Sequence, residues 1–112
     1  MIIETQPAFK AACDLFGLLL ELKDSLSNNV RKPFGVKMMT LSYDIVWGIH
    51  NLDKSKDLEQ AIEDIQQKVQ ELIFVLKLLK DNKQLPMRSF VTCNEQMIAL
   101  SNRLESLNQQ VK

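Results

Sequence analysis

The sequence predicts an all-α fold, an antiparallel four-helix bundle with up-down-up-down connections. Only three glycines and three prolines occur in 112 residues, which indicates few turns and long elements. Apolar residues recur at steps of three and four along most of the chain, as they do on one face of a helix. The length suits one domain and is too short for two. We therefore predict a single domain over residues 1–112, with its four helices joined by short connections.

The first helix is predicted over about residues 6–27. Thr5 precedes Pro7; proline is tolerated in a first helical turn, and a threonine can accept hydrogen bonds from the free amides there. Eight residues are expected to face the core: Phe9, Ala12, Cys13, Phe16, Leu19, Leu20, Leu22 and Leu26. The two cysteines, Cys13 and Cys93, have the spacing of neither a metal pair nor a disulfide framework. Both are predicted to be buried apolar residues.

The second helix is predicted over about residues 33–51, with Pro33 at its start and the polar segment 27–32 as a connection. Its expected core residues are Phe34, Met38, Leu41, Ile45, Ile49 and Leu52. Gly48 lies in mid-helix, where glycine costs up to about 1 kcal/mol relative to alanine, so we expect another helix to approach closely there. His50 near the end is expected to hydrogen-bond terminal carbonyl groups.

The third and fourth helices are predicted over about residues 55–82 and 86–111, with Ser55 as a cap and Pro86 at the start of the last helix. Both carry unbroken heptad seams of apolar residues. The seam of the third is Leu58, Ile62, Ile65, Val69, Leu72, Leu76 and Leu79. The seam of the fourth is Phe90, Cys93, Met97, Leu100, Leu104, Leu107 and Val111.

Two apolar regions exceed what one bundle seam requires. The third helix carries Ile73, Phe74, Val75 and Leu78 beside its seam, and the second carries Tyr43 and Trp47 four residues apart. One interpretation places Tyr43, Trp47, Phe74 and Val75 at contacts with another subunit or a protein partner, which predicts a homo-oligomer. The alternatives are core packing under the loops and, for the aromatic pair, stacking with bases.

The charges are balanced overall, with 14 basic and 14 acidic residues, but we expect them to be separated along the bundle. Eight basic residues are expected at the end that carries the first and third connections: Lys23, Arg31, Lys32, Lys37, Lys77, Lys80, Lys83 and Arg88. Asp24 and Asp81 alone are expected to oppose them, and the other end is net acidic. Such a basic pole can neutralise phosphates. The alternative is that lysines gather at helix C-termini for reasons of dipole and solubility.

The sequence favours a protein without catalytic activity or cofactor. His50 is the single histidine, and no phosphate-binding glycine loop, His/Cys metal spacing or nucleophile elbow occurs. Glu59, Glu63 and Asp64 form an acidic group, but the Glu-x-x-His pair of di-metal bundles is missing, so a metal-carboxylate enzyme is the least favoured hypothesis. No apolar run approaches the roughly 20 residues of a membrane span, and we expect a cytoplasmic protein.

Four fifths of the chain resembles a four-helix-bundle family that includes the 23S rRNA intervening-sequence proteins and the accessory variability determinant (Avd) of diversity-generating retroelements. The resemblance covers the segment Val30-Arg31-Lys32-Pro33-Phe34-Gly35-Val36-Lys37-Met38, the small residue Gly48, the long helix from Leu58 to Lys80, and the stretch from Leu85 to Leu104. The chain departs from the family in two features. Its net charge is zero, and it has Ala99-Leu100-Ser101-Asn102-Arg103 where a glycine-containing stretch is typical.

The resemblance implies a homopentameric ring, without activity of its own, that binds a reverse transcriptase and its template RNA and so supports mutagenic reverse transcription. It places RNA contacts on Arg31, Lys32, Lys37, Lys77 and Lys80, and the charge map adds Arg88. The alternative hypothesis is a protein-interaction module of the intervening-sequence type, whose basic end is solvated surface. The salt dependence of RNA binding distinguishes the two.

Overall fold

Four long helices dominate the computed structural model, which describes residues 5–111. They are α1 (Gln6–Leu22), α2 (Val36–His50), α3 (Leu58–Asp81) and α4 (Met87–Val111). Each helix packs against the next in sequence, and α1 also packs against α4, so the four close into a bundle that is 46 Å long and 22 by 18 Å across. No strand occurs within the described range. The predicted all-α, up-down-up-down four-helix bundle is confirmed.

The heptad seams of α3 and α4 supply half of the core. All seam residues of α3 after Leu58 are buried, and so are those of α4 from Cys93 to Leu107. Leu58, Phe90 and Val111, at the ends of the two seams, are half-buried and pack against this core. Burying a leucine or isoleucine side chain contributes about 1.5–3 kcal/mol, so these two seams contribute about half of the hydrophobic stabilisation of the fold.

The core side of α1 differs from the prediction in its register. Ala8 and Leu15 are buried, whereas Cys13 and Leu20 lie on the surface. The apolar residues predicted for the core of α1 lie on two adjoining sides of that helix. One side faces the core, and the other, which carries Cys13 and Leu20, faces outward beside α2. The expectation that both cysteines are buried is therefore wrong for Cys13 and confirmed for Cys93, whose burial raises its pKa to about 11.

The helical path into α2 begins earlier than Pro33. A short turn at Asn28–Val30 leads into a π-helical turn at Arg31–Gly35, which continues directly into α2. Proline has no N–H to donate to the preceding turn, and the wider π turn accommodates it within a continuous helical path. The extra residue of that turn rotates Phe34 outward to 38% exposure, so its prediction as a core residue is wrong, and Gly35 is buried instead.

The ends of the helices are capped by residues other than those predicted. Asp57 rather than Ser55 caps α3, because its Oδ1 accepts from the Gln60 N–H at 3.1 Å. Thr5 holds the N-cap position of α1 without a side-chain hydrogen bond. At the end of α2 the Asn51 side chain donates to the Trp47 carbonyl at 2.9 Å. The role expected of His50 is thus taken by Asn51.

Gly48 lies where α2 and α3 come closest, as the sequence predicts. A Cβ added there would lie 2.9 Å from Cγ1 and 3.1 Å from Cδ1 of Ile65, a core residue of α3. A Cβ added at Gly17 in α1 would meet nothing within 4 Å. Both glycines have a helical backbone conformation, but a methyl group at Gly48 would collide with Ile65, whereas one at Gly17 would meet open space.

We expect Gly48→Ala to destabilise the protein by about 1–3 kcal/mol, because Ile65 must leave its packed position and overpacking outweighs the gain in helix propensity. Gly17→Ala, the matched control, should raise stability by up to about 1 kcal/mol through propensity alone. Urea denaturation of both variants measures the difference. Equal stabilisation by the two alanines would contradict the close approach at Gly48.

Candidate functional site

The connection between α1 and α2 and the connection between α3 and α4 meet at one end of the bundle, as expected. The Ser27 hydroxyl donates to Oε1 of Gln84 at 2.8 Å and joins the two connections directly. We call this the basic end, after the eight basic residues that the sequence analysis assigned to it. The capacity of the basic end to bind an anionic ligand depends on which of the eight basic side chains already have a partner within the subunit.

Three of the predicted RNA-contact residues make contacts within the chain. Nη2 of Arg31 donates to the carbonyl oxygens of Asp24 and Leu26, each at 3.0 Å. Nζ of Lys37 lies 2.7 Å from Oε2 of Glu71. Arg31 therefore satisfies the carbonyl groups at the end of the first helical segment, and Lys37 joins α2 to α3.

Lys80 is the third of these residues. Its Nζ lies 3.4 Å from Oδ1 of Asp81 and 4.7 Å from the centre of the Phe90 ring, in a cation–π arrangement. Its side chain is only 24% exposed. Lys80 thus packs between α3 and α4, and its charge is less available to a ligand than a lysine in open solvent.

Of the five remaining basic residues, Lys23 is half-buried, with its Nζ 3.4 Å from Oδ1 of Asp24, and the other four face water. Lys32, Lys77, Lys83 and Arg88 are exposed, and within residues 5–111 none of them forms an ion pair. Two further carboxylates reduce the predicted excess: Glu71, which pairs with Lys37, and Glu21, which lines a surface pocket together with Arg88. The basic end holds eight cations against four carboxylates, a smaller excess than the sequence suggested.

Lys83 occupies an unusual backbone position. Its φ is 60°, the only positive value at a non-glycine residue in the described part of the chain. The N–H of Gln84 donates to the Leu79 carbonyl at 2.8 Å and that of Lys83 to the Lys80 carbonyl at 3.0 Å, the Schellman pattern that closes a helix. Glycine is preferred there because a side chain costs about 1–2 kcal/mol.

A second surface lies on the outer side of α1 and α2. We call it the α1–α2 face. It consists of Phe9, Cys13, Phe16 and Leu20 of α1 and of Val36, Met39, Thr40, Tyr43, Trp47 and His50 of α2. None of these residues carries a formal charge at pH 7. Val36, Thr40, Tyr43, Trp47 and His50 are exposed and recur at steps of four and three along α2, which makes them a second stripe on that helix. Met39 is half-buried and packs against the core.

An aromatic row runs along this face. The Tyr43 and Trp47 rings stack with centroids 6.4 Å apart and an angle of 9°. The row continues from Trp47 to His50 at 5.9 Å, and from His50 to Phe9 of α1 at 6.0 Å. Tyr43 and Trp47 are each 55% exposed. Aromatic pairs at such distances attract each other by about 0.5–1.5 kcal/mol, which favours this arrangement of the rings.

Phe74 and Val75, the other two residues predicted to contact a partner, lie in different environments. Phe74 is 59% exposed and lies on the surface of α3, whereas Val75 is 5% exposed and belongs to the core. A side chain buried in its own subunit offers no surface to a partner, so Val75 is not a contact residue. The two adjacent positions differ because a helix turns by about 100° per residue.

The sequence analysis missed the contribution of α1 to the face. Cys13 and Leu20 were assigned to the core because they share the helical spacing of its true members. The width of the apolar stripe on α1 was the available signal: a stripe broader than one seam leaves one of its edges outside.

Comparisons of the chain with protein-family models, with curated proteins and with solved structures find no match. The resemblance to the Avd family therefore stays a prediction. No helix among residues 5–111 is both long and apolar enough to cross a bilayer. The same residues contain no cluster of three His, Cys, Asp or Glu side chains arranged to hold a metal ion. The basic end and the α1–α2 face are the two candidate sites.

We expect Lys83→Gly to stabilise the protein by about 1 kcal/mol, because glycine adopts a positive φ without steric cost. Lys83→Ala is the control, since it removes the charge and keeps the backbone strain. In thermal unfolding, the midpoint temperature of Lys83→Gly should exceed that of the wild type, and the midpoint temperature of Lys83→Ala should be close to that of the wild type. A glycine variant no more stable than the alanine variant would contradict the strain.

Proposed function

We propose that the protein is a non-catalytic interaction protein that assembles with copies of itself through the α1–α2 face. The observation that carries this proposal is the lack of charge across a face that presents a stacked aromatic row. Large exposed apolar patches on a folded protein mark interaction sites, and aromatic side chains are enriched at them. We place this activity in the cytoplasm, as the sequence predicts.

The face occupies one side of two adjacent helices. Its α2 part, Val36–His50, has 15 residues and is about 22 Å long at 1.5 Å per residue, and each helix is about 10 Å wide. The footprint is therefore about 450 Å², compared with about 800 Å² per partner in a standard interface, so we propose that assembly also buries surface next to this face. A second copy suits the face chemically, because an uncharged surface brings no like charges together and leaves no charge unpaired. The resemblance sets the proposed number of subunits at five, in a closed ring, in which this face contacts a different surface of the neighbouring subunit.

We expect the wild-type protein to have a mass near five times 12.9 kDa in light scattering, and Trp47→Lys to reduce the mass to that of one subunit. A lysine at the centre of the face must lose its hydration on assembly, while the folded subunit tolerates it because Trp47 is 55% exposed. Gln70→Lys, which adds the same charge at an exposed position of α3, is the control. A wild-type monomer would reject the assembly.

A second candidate function is that of an accessory protein that binds RNA and a reverse transcriptase at the basic end. The observation that favours it is the set of exposed cations without ion pairs: Lys32 lies in the π turn before α2, Lys77 lies in α3, and Arg88 lies in the first turn of α4. Cations of this kind neutralise phosphates without a fixed site. Arg31, Lys37 and Lys80 would contribute less, because each already has a partner.

We expect the double variant Lys32→Gln, Lys77→Gln to weaken binding to a single-stranded RNA and to lower the slope of log K against log salt by about 1.4, since each lost phosphate contact contributes about 0.7. Lys56→Gln, an exposed lysine next to the α2–α3 connection at the opposite end, is the matched control. Fluorescence anisotropy at several salt concentrations measures both. An unchanged slope in the double variant would remove the basic end as an RNA site.

A further inference from the structure

A cleft of about 390 Å³ opens at the basic end, between the turns that precede α2 and the end of α3. Its lining residues are Val30, Phe34, Leu78, Leu79, Asn82 and Gln84. Phe34 and Leu78 are 38% and 36% exposed, although both are large apolar side chains. The volume is within the range of about 300–1,000 Å³ typical of ligand pockets.

Several polar groups of the lining have hydrogen-bond partners within the chain. The Asn82 amide donates to the Leu78 carbonyl at 2.8 Å, and the Gln84 amide to the Asn82 carbonyl at 3.3 Å. Oε1 of Gln84 accepts from Ser27. The surface that the cleft offers to a ligand is therefore mainly hydrocarbon. Phe74, one turn before Leu78 on α3 and 59% exposed, extends it along the bundle.

Irregular backbone forms both sides of this cleft. On one side, the π-helical turn at Arg31–Gly35 carries Phe34. On the other, Lys83 with its φ of 60° lies between Asn82 and Gln84. π turns are uncommon and are often found at functional sites. The positive φ at Lys83 belongs to the helix cap, and the uncommon feature is a residue other than glycine in that position. The cleft is thus bordered by two segments whose backbone is not α-helical, the π turn at Arg31–Gly35 and the helix cap at Lys83.

The charges next to the cleft are mainly positive. Lys32 lies in the π turn beside Phe34, Lys77 precedes Leu78, and Lys83 separates two lining residues. All three are exposed and none forms an ion pair within residues 5–111. Asp81, the nearest acidic residue in sequence, is held by Lys80 at 3.4 Å. The cleft is thus a hydrocarbon surface beside unpaired ammonium groups.

We propose that this cleft binds an acidic protein segment, which inserts a bulky apolar side chain between Phe34 and Leu78 and places carboxylates near Lys32, Lys77 and Lys83. An apolar anchor in a pocket supplies affinity, and complementary charge at the edge selects the partner. RNA fits this arrangement less well, because only the Phe34 ring offers a surface on which a base can stack, and the rest of the lining consists of aliphatic and amide side chains. The cleft is formed by residues outside the α1–α2 face, so this proposal does not depend on self-assembly.

The probe for the test is a synthetic helical peptide of about 15 residues that carries Leu and Phe on one face and Glu on the others. Methyl NMR spectra of the full-length protein should show shifts at Val30, Leu78 and Leu79 on titration. We expect Leu78→Gln and Lys83→Glu each to weaken binding about tenfold, by loss of the anchor contact and of the charge attraction. Trp47→Gln, on the α1–α2 face, should leave binding unchanged.

Two controls separate the alternatives. A peptide with Lys in place of every Glu should not bind, and Phe34→Ser provides a second variant of the cleft in case Leu78→Gln is poorly folded by circular dichroism. The proposal is overturned if the acidic peptide shifts none of the three methyl groups at about 1 mM, a concentration that would detect even weak binding. It is also overturned if single-stranded RNA shifts them and Leu78→Gln weakens that RNA binding.

Discussion

The burial of two unbroken heptad seams, one on α3 and one on α4, is the constraint on which the rest of the molecule depends. Together these seams form half of the core, and α1 and α2 complete it from the other side. The paired long helices fix where the connections lie, and Ser27 and Gln84 join two of these connections at one end. The basic residues, the cleft and the irregular turns all take their places from this pairing.

The two surfaces of the subunit differ in chemistry and in position. The α1–α2 face runs along the side of the bundle and is uncharged, whereas the basic end combines free lysines with an apolar cleft. An interaction protein with this arrangement can use the long face for copies of itself and the end for another molecule. Ion pairs with Glu71 and Asp81 offset the charges of Lys37 and Lys80. Arg31 keeps its charge, but two backbone carbonyl groups hold its guanidinium group in place.

The periodicity of the sequence predicted the four helices, their order and most of the core, because heptads on α3 and α4 leave one solution for their apolar residues. It also located Gly48 at a close approach, Lys32 and Lys77 at a basic end, and Tyr43 and Trp47 on an exposed face. It failed at Phe34, because a π turn shifts the register by one residue, and at Cys13, because a stripe on one helix does not reveal which edge faces a neighbour. The pairing of Lys37 with Glu71 joins distant residues and has no local signal.

The two cysteines give the protein an unequal pair of thiols. Cys93 is buried with a raised pKa, while Cys13 lies on the α1–α2 face in contact with solvent. A maleimide dye therefore modifies the native chain at one known position without engineering. Because Cys13 belongs to the face proposed for assembly, its rate of labelling reports how much of that face is free. The buried Cys93 thiol of the same chain serves as the slow-reacting reference.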